Sequence, residues 1–170
     1  MYLMKKDIVE ETKTEICFEK IVDDLIMISI TNELPFDSIP SYWRLTKVTG
    51  IPPLEIGIDC KSHCLASITF YLDSTMIVEW PEIKVDVANG NVVIDESPRF
   101  QHKNDFIDIS GNYRICLQKN KLLCFFADSP EIKQAYRTDR IEVYVDMMNN
   151  IIGFAVCDLS VQEINMVKSI

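Results

Sequence analysis

A pair of alternating apolar segments at residues 54–72 constrains the fold of this chain more than any other feature. Apolar residues occupy every second position before and after a short polar loop, which is typical of two strands that each bury one face. The register that sets apolar residues opposite each other pairs Ile58 with Ala66, Ile56 with Ile68 and Leu54 with Phe70. A shift of one residue would turn one strand inside out. The sequence therefore predicts an antiparallel hairpin with its loop centred on Ser62.

The same pattern recurs at residues 141–156, which align with residues 54–69 without a gap. Each copy has Glu and Asp at fixed places among alternating apolar residues, then a four-residue loop and a second apolar segment. Two interpretations are open: one hairpin is used twice after a duplication, or two amphipathic hairpins share a common pattern. Neither hairpin carries catalytic chemistry.

The composition indicates one domain that spans residues 1–170. At 170 residues the chain is large enough to bury a two-layer core, and a hydrophobic content of 48% excludes intrinsic disorder. No apolar segment approaches the roughly 20 residues that a transmembrane helix needs. The N-terminal residues also lack the apolar core of a signal peptide. We therefore expect a cytoplasmic protein.

The six cysteines are expected to be free thiols, because disulfides are rare in the cytosol. Cys60 and Cys64 lie at the neck of the first hairpin's loop, and with His63 they form a C-x-x-H-C segment that could supply part of a zinc site. A closed zinc site needs four ligands, and the chain has only one other histidine. No metal and no other cofactor is expected.

Acidic side chains outnumber basic ones, with 26 Asp and Glu against 17 Lys and Arg and a net charge of −9. This balance argues against nucleic-acid binding, which needs clustered cations to contact phosphates. It suits a basic protein partner, whose association an acidic surface accelerates. Solubility alone is the other explanation for an acidic composition.

The N-terminal region is predicted to be β-rich after a frayed start at residues 1–13. Residues 15–30 favour a hairpin that turns at Asp23 and Asp24, with a helix near residues 7–22 as the alternative. Further strands are predicted at residues 41–48, 75–79, 83–95, 106–109, 113–118 and 121–127.

Two of these predictions concern specific pairings. Residues 83–95 are the clearest hairpin, because Asn89 and Gly90 form the favoured pair of a type I′ turn. The last three strands are predicted to form a meander, in which a three-residue loop places Cys116 opposite Cys124.

Two short helices complete the prediction. Pro130 suits the first turn of a helix at residues 131–137, and Ser160 with Glu163 forms a capping box that opens a helix at residues 160–168. With roughly a dozen strands, the fold class is α+β. It is predominantly antiparallel β, a twisted sheet that forms a sandwich or half-barrel, with the short helices at the edge.

The motifs of common enzyme classes are absent from the sequence. It contains no phosphate-binding loop, no dinucleotide-binding glycine pattern, no nucleophile elbow and no H-E-x-x-H zinc motif. The sequence therefore predicts a protein that is not an enzyme.

Four segments carry a resemblance to a known family. They are L-E-I-G-I-D at residues 54–59, S-I-T-F at residues 67–70, apolar-E-apolar-x-V-D at residues 141–146, and D-L-S-x-x-E-I at residues 158–164. With them, residues 42–170 resemble immunity proteins of bacterial polymorphic-toxin systems, and contact-dependent growth inhibition systems are the nearest comparison. The resemblance implies a cytoplasmic, non-catalytic protein that binds the C-terminal domain of one cognate toxin and blocks its active site. Such toxin domains are often nucleases and hence often basic, which fits the acidic net charge. The resemblance carries over no toxin-contacting residue.

The predicted binding surface is built around residues 96–104, the longest purely polar stretch, because loops display side chains that a rigid sheet positions. Acidic and aromatic residues near this loop and at the start of the helix at 131–137 suit an interface. The predicted partner-binding residues are Asp95, Glu96, Asp105, Phe106, Asp108, Asp128 and Glu131. Two alternative functions are a small-ligand-binding or metabolic β-rich domain, and a structural subunit of a larger assembly.

Overall fold

The computed structural model of the protein describes residues 3–34, 39–47, 50–95, 100, 105–126 and 130–170. These residues form fourteen strands, one short 3₁₀ helix and one α-helix. The first six strands are β1 (Lys5–Val9), β2 (Thr14–Val22), β3 (Leu25–Asn32), β4 (Ser41–Thr46), β5 (Leu54–Ile58) and β6 (Leu65–Leu72). The 3₁₀ helix covers Ser74–Met76. The next eight strands are β7 (Val87–Asn89), β8 (Asn91–Ile94), β9 (Phe106–Ser110), β10 (Arg114–Gln118), β11 (Lys121–Phe125), β12 (Gln134–Thr138), β13 (Ile141–Val145) and β14 (Ile151–Val156). Helix α1 covers Val161–Val167.

Two six-stranded sheets share the chain order of their first five strands. The sixth strand differs, because β9 follows the other strands of its sheet in the chain whereas β7 precedes those of its sheet. Sheet 1 runs β2-β3-β6-β5-β4-β9, and sheet 2 runs β10-β11-β14-β13-β12-β7. Neighbouring strands are antiparallel except for the last pair of each sheet, β4 with β9 and β12 with β7, which are parallel. Strands β1 and β8 form a separate antiparallel ribbon. The fold is therefore predominantly antiparallel β with a short helix near its C-terminal end, as the sequence predicted.

Sheets 1 and 2 pack face to face around one large apolar core. Alternate residues of each strand point into this core, so that Leu54 and Ile56 are buried in β5 while Glu55 between them is only half-buried. At the centre, the rings of Phe70 from sheet 1 and Phe154 from sheet 2 meet edge to face, with their centroids 5.1 Å apart. Each such aliphatic or aromatic side chain contributes about 1.5–3 kcal/mol when it leaves water.

Sheet 2 has a second apolar layer on its outer face, under a segment that we call the strap (residues 77–86). The strap starts beside β10, where the N–H of Val78 donates to the carbonyl of Ile115 at 2.8 Å. It ends beside β12, where the N–H of Ala135 donates to the carbonyl of Asp86 at 3.0 Å. Strands β13 and β14 are therefore buried on both faces, which explains their nearly continuous apolar sequence.

The repeat extends beyond the hairpins to both sheets. Hairpins β5–β6 and β13–β14 occupy the same place in their sheets, and each strand pair has a bulge next to its loop. Each loop begins with an aspartate that accepts backbone N–H groups, Asp59 from Ser62 at 2.6 Å and Asp146 from Asn150 at 2.8 Å. Shared strand order, strand direction and loop capping favour the duplication interpretation of the repeat.

The ribbon of β1 and β8 connects the two hairpin loops. Val93 of β8 forms a bridge with Cys64 at the first loop, and Met4 beside β1 forms a bridge with Asn150 at the second loop. Residues 4–9 are therefore ordered by pairing, and the predicted frayed start is wrong for this segment. The alternative helix near residues 7–22 is also wrong, because β1 and β2 occupy these positions.

The hairpins predicted at residues 15–30 and 54–72 are present in the structure. Residues 15–30 form β2 and β3, and the turn lies at Asp23 and Asp24 as predicted. In the hairpin β5–β6, Ile56 pairs with Ile68 as predicted, but Ile58 pairs with Leu65 instead of Ala66 because of the bulge. The first loop is therefore one residue longer than the second, and the alignment of the two copies needs a gap.

The predicted hairpin at residues 83–95 is wrong. Strand β7 pairs with β12 and strand β8 pairs with β1, so the two strands do not pair with each other. Gly90 between them has a φ of 140° and donates its N–H to the carbonyl of Arg137 at 2.8 Å. Partners that are distant in sequence thus override the local turn preference of Asn89 and Gly90.

The predicted meander is correct only in its second half. Strand β9 belongs to sheet 1, whereas β10 and β11 form a hairpin in sheet 2. The turn between β10 and β11 has two residues, so Cys116 pairs with Leu123 and not with Cys124.

Two further predicted elements differ from the structure. Residues 131–137 are not helical: β12 begins at Gln134, because Ala135 and Tyr136 are buried between β13 and β7. Residues 75–79 are not a strand, because Asp73 accepts the N–H of Thr75 at 2.7 Å and caps the 3₁₀ helix. The helix predicted at residues 160–168 is confirmed, and its capping box is present.

Candidate protein-binding surface

The outer face of sheet 1, which we call the open face, has exposed or half-buried side chains on all six strands, and Pro40 approaches it at Gly57. Its side chains form two rows that each cross six strands. The first row is Glu15, Thr31, Ser67, Gly57, Tyr42 and Phe106, and the second is Cys17, Ser29, Thr69, Glu55, Arg44 and Asp108. All of these residues except Gly57 are exposed or half-buried.

The matching strand order gives each open-face residue a counterpart, the residue at the same register position of sheet 2. Where sheet 2 has Leu123, Phe125 and Ala155 beneath the strap, the open face has Ser29, Thr31 and Thr69. The open face is thus hydroxyl-rich at positions that are apolar in the covered sheet. These hydroxyl groups can each donate and accept hydrogen bonds.

Arg44 organises the end of the open face near β9. Its Nε and Nη2 atoms donate to the carboxylate of Asp108 at 2.6 and 2.8 Å, and its guanidinium carbon lies 3.8 Å from the centroid of the Phe106 ring. The hydrogen bonds from Arg44 lower the pKa of Asp108. Asp108 is therefore already paired, while the Phe106 side chain stays 55% exposed and accessible to a partner.

Tyr42 lies against Gly57 of the neighbouring strand. A Cβ atom on Gly57 would lie 3.3 Å from Cε1 of Tyr42 and would overlap the hydroxyl of Ser67. The missing side chain thus lets the Tyr42 ring lie low over the sheet. Burial, with the charge of Glu55 as a second cause, raises the pKa of Tyr42, so its phenol is protonated at neutral pH.

The charge of the open face is predominantly negative. Glu15 and Glu19 are exposed on edge strand β2, and Glu55 lies near the centre of the face. Arg44 is the one basic residue in the two rows, and it lies 3.9 Å from Glu55 in addition to its contacts with Asp108. An acidic surface of this kind attracts basic partners.

The structure places the predicted partner-binding residues in different regions. Phe106 and Asp108 lie on the open face, and Asp105 directly precedes them, with its carbonyl accepting the N–H of Tyr42 at 2.9 Å. Asp95 directly follows β8, and its N–H donates to the carbonyl of Met4 beside β1 at 2.8 Å.

The other predicted residues either lie outside the described part of the chain or precede a strand of sheet 2. Glu96 and Asp128 lie outside the described residues, as does the loop at 96–104 apart from residue 100. Glu131 is exposed before β12 in sheet 2, and the meander expected to join it to that loop does not form.

Sequence reasoning missed the remaining members of the open face. Tyr42 and Arg44 alternate with the buried Trp43, so a strand pattern could have assigned them to an outer face. Their neighbours Phe106 and Asp108 come from a strand distant in sequence, and no local signal predicts that pairing.

A pocket of ≈ 390 Å³ lies where the strap meets the turn between β10 and β11. Its lining residues are Trp80, Glu82, Ile83, Gln118, Lys119, Asn120, Lys121, Leu123 and Tyr144. Beside it, the buried Glu142 accepts the hydroxyl of Tyr144 at 2.7 Å and Nζ of Lys121 at 2.8 Å, and Nη1 of Arg137 lies 3.6 Å away.

Three ionisable groups beside this pocket, Glu142, Tyr144 and Cys157, have pKa values shifted away from neutral pH. Burial favours a higher pKa for Glu142, but the hydrogen bonds from Lys121 and Tyr144 outweigh it and lower this pKa. Burial raises the pKa of Tyr144, and it raises that of Cys157 to about 12. General acids and bases work best with pKa values near the operating pH. This arrangement is therefore typical of a structural ion-pair network.

The C-x-x-H-C segment lies in the first hairpin loop. Within the described part of the chain, no group of three or more His, Cys, Asp and Glu side chains is placed to hold a metal ion. All six cysteines are free thiols. No described helix is both long enough and apolar enough to cross a membrane.

No protein-family model matches this chain, and no curated protein matches its sequence. Function is therefore inferred from the shape and charge of the surfaces described above.

Proposed function

We propose that this protein is a cytoplasmic immunity protein. It binds a cognate, basic toxin domain, such as a nuclease, and neutralises the toxin by blocking its active site without catalysing a reaction. The observation that carries the proposal is the open face of sheet 1, which is acidic and rich in hydroxyl groups, with the exposed Phe106 and the half-buried Tyr42 at one end.

The size of the open face suits a protein partner. Six strands spaced about 4.8 Å apart span roughly 24 Å. A standard interface buries ~800 Å² per partner, which corresponds to a patch roughly 28 Å across. Phe106 and Tyr42 supply aromatic groups of the type that contribute most to binding energy, and the surrounding hydroxyls supply hydrogen bonds.

The charge of the open face suits a basic partner. Nuclease domains use lysine and arginine side chains to contact phosphates. Glu15 and Glu19 are exposed and can face such cations, whereas Asp108 is neutralised by Arg44. Electrostatic attraction of this kind raises the association rate and weakens as salt is added.

The test is to co-express the protein with the C-terminal domain encoded by the gene directly upstream of its own. We expect the two chains to purify together. Cells that express the C-terminal domain alone should stop growing, and cells that also express this protein should grow. Absence of both binding and rescue would refute the proposed function.

A pair of matched variants then locates the surface. The open-face variant is Glu15→Gln with Glu19→Gln, and the control is Glu10→Gln with Glu11→Gln, which removes the same charge from another exposed segment. We expect the open-face variant to slow association about tenfold at low salt, with the difference shrinking at high salt. Equal effects of the two variants would exclude the open face as the binding surface.

The pocket beside the strap favours small-ligand binding as a second candidate function. Its volume of ≈ 390 Å³ lies near the lower end of the range for ligand pockets, which is about 300–1,000 Å³. Its walls combine Trp80 and Leu123 with the polar Gln118 and Lys121. Thermal-shift screening of metabolites, with Leu123→Trp as the filled-pocket control, tests this candidate.

A further inference from the structure

We infer that the open face binds an extended, basic segment of its partner, laid across the strands of sheet 1 as the strap is laid across sheet 2. This inference rests on the proposed function and specifies the form that the partner takes at this surface. It follows from the repeat, because sheet 2 shows how a polypeptide covers this type of face.

The strap provides the pattern for such binding. The ring of Trp80 packs edge to face on Phe125, with the centroids 5.0 Å apart. At the edge of the sheet, Nε2 of Gln118 donates to the backbone carbonyls of Trp80 and Pro81, both at 2.9 Å. Sheet 2 thus holds a segment that lies outside any described helix or strand, through an apolar layer and a side chain on its edge strand.

The counterpart of Gln118 on sheet 1 is Glu19. In sheet 2, Leu117 of β10 pairs with Leu122. In sheet 1, Phe18 of β2 pairs with Ile28 at the same register position. Gln118 and Glu19 are the next residues along these two edge strands. A carboxylate only accepts hydrogen bonds, whereas the amide of glutamine also donates them. At this edge, sheet 1 therefore suits a segment that presents N–H groups or cationic side chains.

The hydroxyl groups of the open face suit the backbone of an extended segment. A segment that is not yet paired exposes one donor and one acceptor per residue. Ser29, Thr31 and Thr69 replace the apolar Leu123, Phe125 and Ala155 of sheet 2 and can bond to both types of group. A folded, convex surface has already paired most of its backbone groups and gains less from these hydroxyls.

The length of the segment follows from the dimensions of the sheet. Between β10 and β12 the strap passes over five strands, a distance of roughly 19 Å at about 4.8 Å per strand. An extended chain advances about 3.3 Å per residue, so at least ~6 residues are needed. The corresponding partner segment would have roughly six to nine residues, with Lys or Arg near Glu15, Glu19 and Glu55.

The test uses a synthetic peptide derived from the strap itself. The probe has the sequence of residues 77–86 with the substitutions Glu79→Lys, Glu82→Lys and Asp86→Lys, which make it basic while retaining its apolar residues and its proline. Binding to the full-length protein is followed by backbone amide chemical shifts at low salt. We expect shifts on β2, β3 and β6, and a dissociation constant at least fivefold weaker for the Glu15→Gln, Glu19→Gln variant than for the Glu10→Gln, Glu11→Gln control.

Two results would overturn the inference: no binding at millimolar peptide, or shifts confined to sheet 2, which would indicate that the probe displaces the strap. The two proposals fail separately. If the upstream toxin domain needs Glu15 and Glu19 but the peptide does not bind, the partner uses a folded surface and only the extended segment is excluded. If the peptide binds the open face but no toxin domain is captured, the proposed function is excluded and the peptide-binding surface stands.

Discussion

The two copies of the hairpin offer the same substitution in two environments, Glu142→Gln in sheet 2 and Glu55→Gln in sheet 1. The Glu142 side chain is 3% exposed and contacts Lys121, Arg137 and Tyr144. The Glu55 side chain is 35% exposed and lies 3.9 Å from Arg44. We expect the first substitution to destabilise the protein much more than the second.

The magnitudes follow from burial. Removing one partner of a fully buried ion pair costs about 3–5 kcal/mol. The Lys121 and Arg137 side chains are each 33% exposed and can be rehydrated, which reduces the expected loss to roughly 2–3 kcal/mol. The Arg44–Glu55 pair is partly exposed and its nearest charged atoms are 3.9 Å apart, so its contribution should be about 0–1 kcal/mol, as is typical of surface pairs, and Glu55→Gln should have little effect. For a chain of this size, a difference of about 2 kcal/mol lowers Tm by roughly 4–8 °C.

Calorimetry and urea unfolding at neutral pH measure this difference, and a pH series identifies its origin. The folded-state pKa of Glu142 is lowered from its ordinary 4.5, so the ionised carboxylate stabilises the fold above pH 4.5. This stabilisation is lost as the pH falls through the folded-state pKa. The difference in the free energy of unfolding between wild type and Glu142→Gln should then become smaller. Equal losses of unfolding free energy for Glu142→Gln and Glu55→Gln would refute the reasoning. So would a difference between wild type and Glu142→Gln that stays unchanged down to pH 3.

Three further expectations concern packing, capping and thiol reactivity. Gly153→Ala should destabilise the protein by about 1–3 kcal/mol in urea unfolding, because the added methyl group would overlap the backbone of β11. Ser67→Ala, at the counterpart position of sheet 1, should change the free energy of unfolding by less than about 0.5 kcal/mol. A loss as small for Gly153→Ala as for Ser67→Ala would contradict this packing. Ser160→Ala should cost about 1 kcal/mol, since its side chain accepts the N–H of residue 163 at 3.2 Å; an unchanged midpoint would argue against the cap. In native thiol titration Cys17 should react first, because it is exposed, and Cys124 should react only on unfolding, because burial raises its pKa; simultaneous reaction would show that the core opens.

The elements predicted correctly are those in which local signals agree with the final environment. Ile56 and Ile68 alternate with polar residues on both sides of a short loop, and the hairpin that buries them needs no distant partner to set its register. Ser160 and Glu163 likewise cap helix α1 through contacts within one turn. Such features can be read from a window of about ten residues.

The wrong predictions are those in which a distant strand decides the structure. Asn89 and Gly90 favour a tight turn, but β7 and β8 each gain more by pairing with strands of other parts of the chain. Pro130 suits the start of a helix at residues 131–137, but the burial of Ala135 and Tyr136 between two strands determines the outcome. Local preference is worth tenths of a kcal/mol per residue, whereas each buried side chain contributes about 1.5–3 kcal/mol.

The candidate surface was only partly predictable for the same reason. The sequence predicts Phe106 as an aromatic contact and Asp108 as an acidic contact beside a polar segment, and both lie on the open face. Arg44, which binds both of them, comes from a strand 64 residues away from Asp108. The pairing of β4 with β9 depends on the completed sheet, and the sequence around either strand does not specify it.

The parallel pairing of β4 with β9 also has a consequence for synthesis on the ribosome. Because 64 residues separate Arg44 from Asp108, the edge of β4 has no partner until β9 has been translated. At about 5–20 residues per second, that interval lasts roughly 3–13 s. During this time the nascent chain presents an unpaired strand edge, the feature that most readily recruits other chains. Codon usage and chaperone access between residues 46 and 106 should therefore affect the yield of the native protein more than changes of similar size elsewhere in the gene.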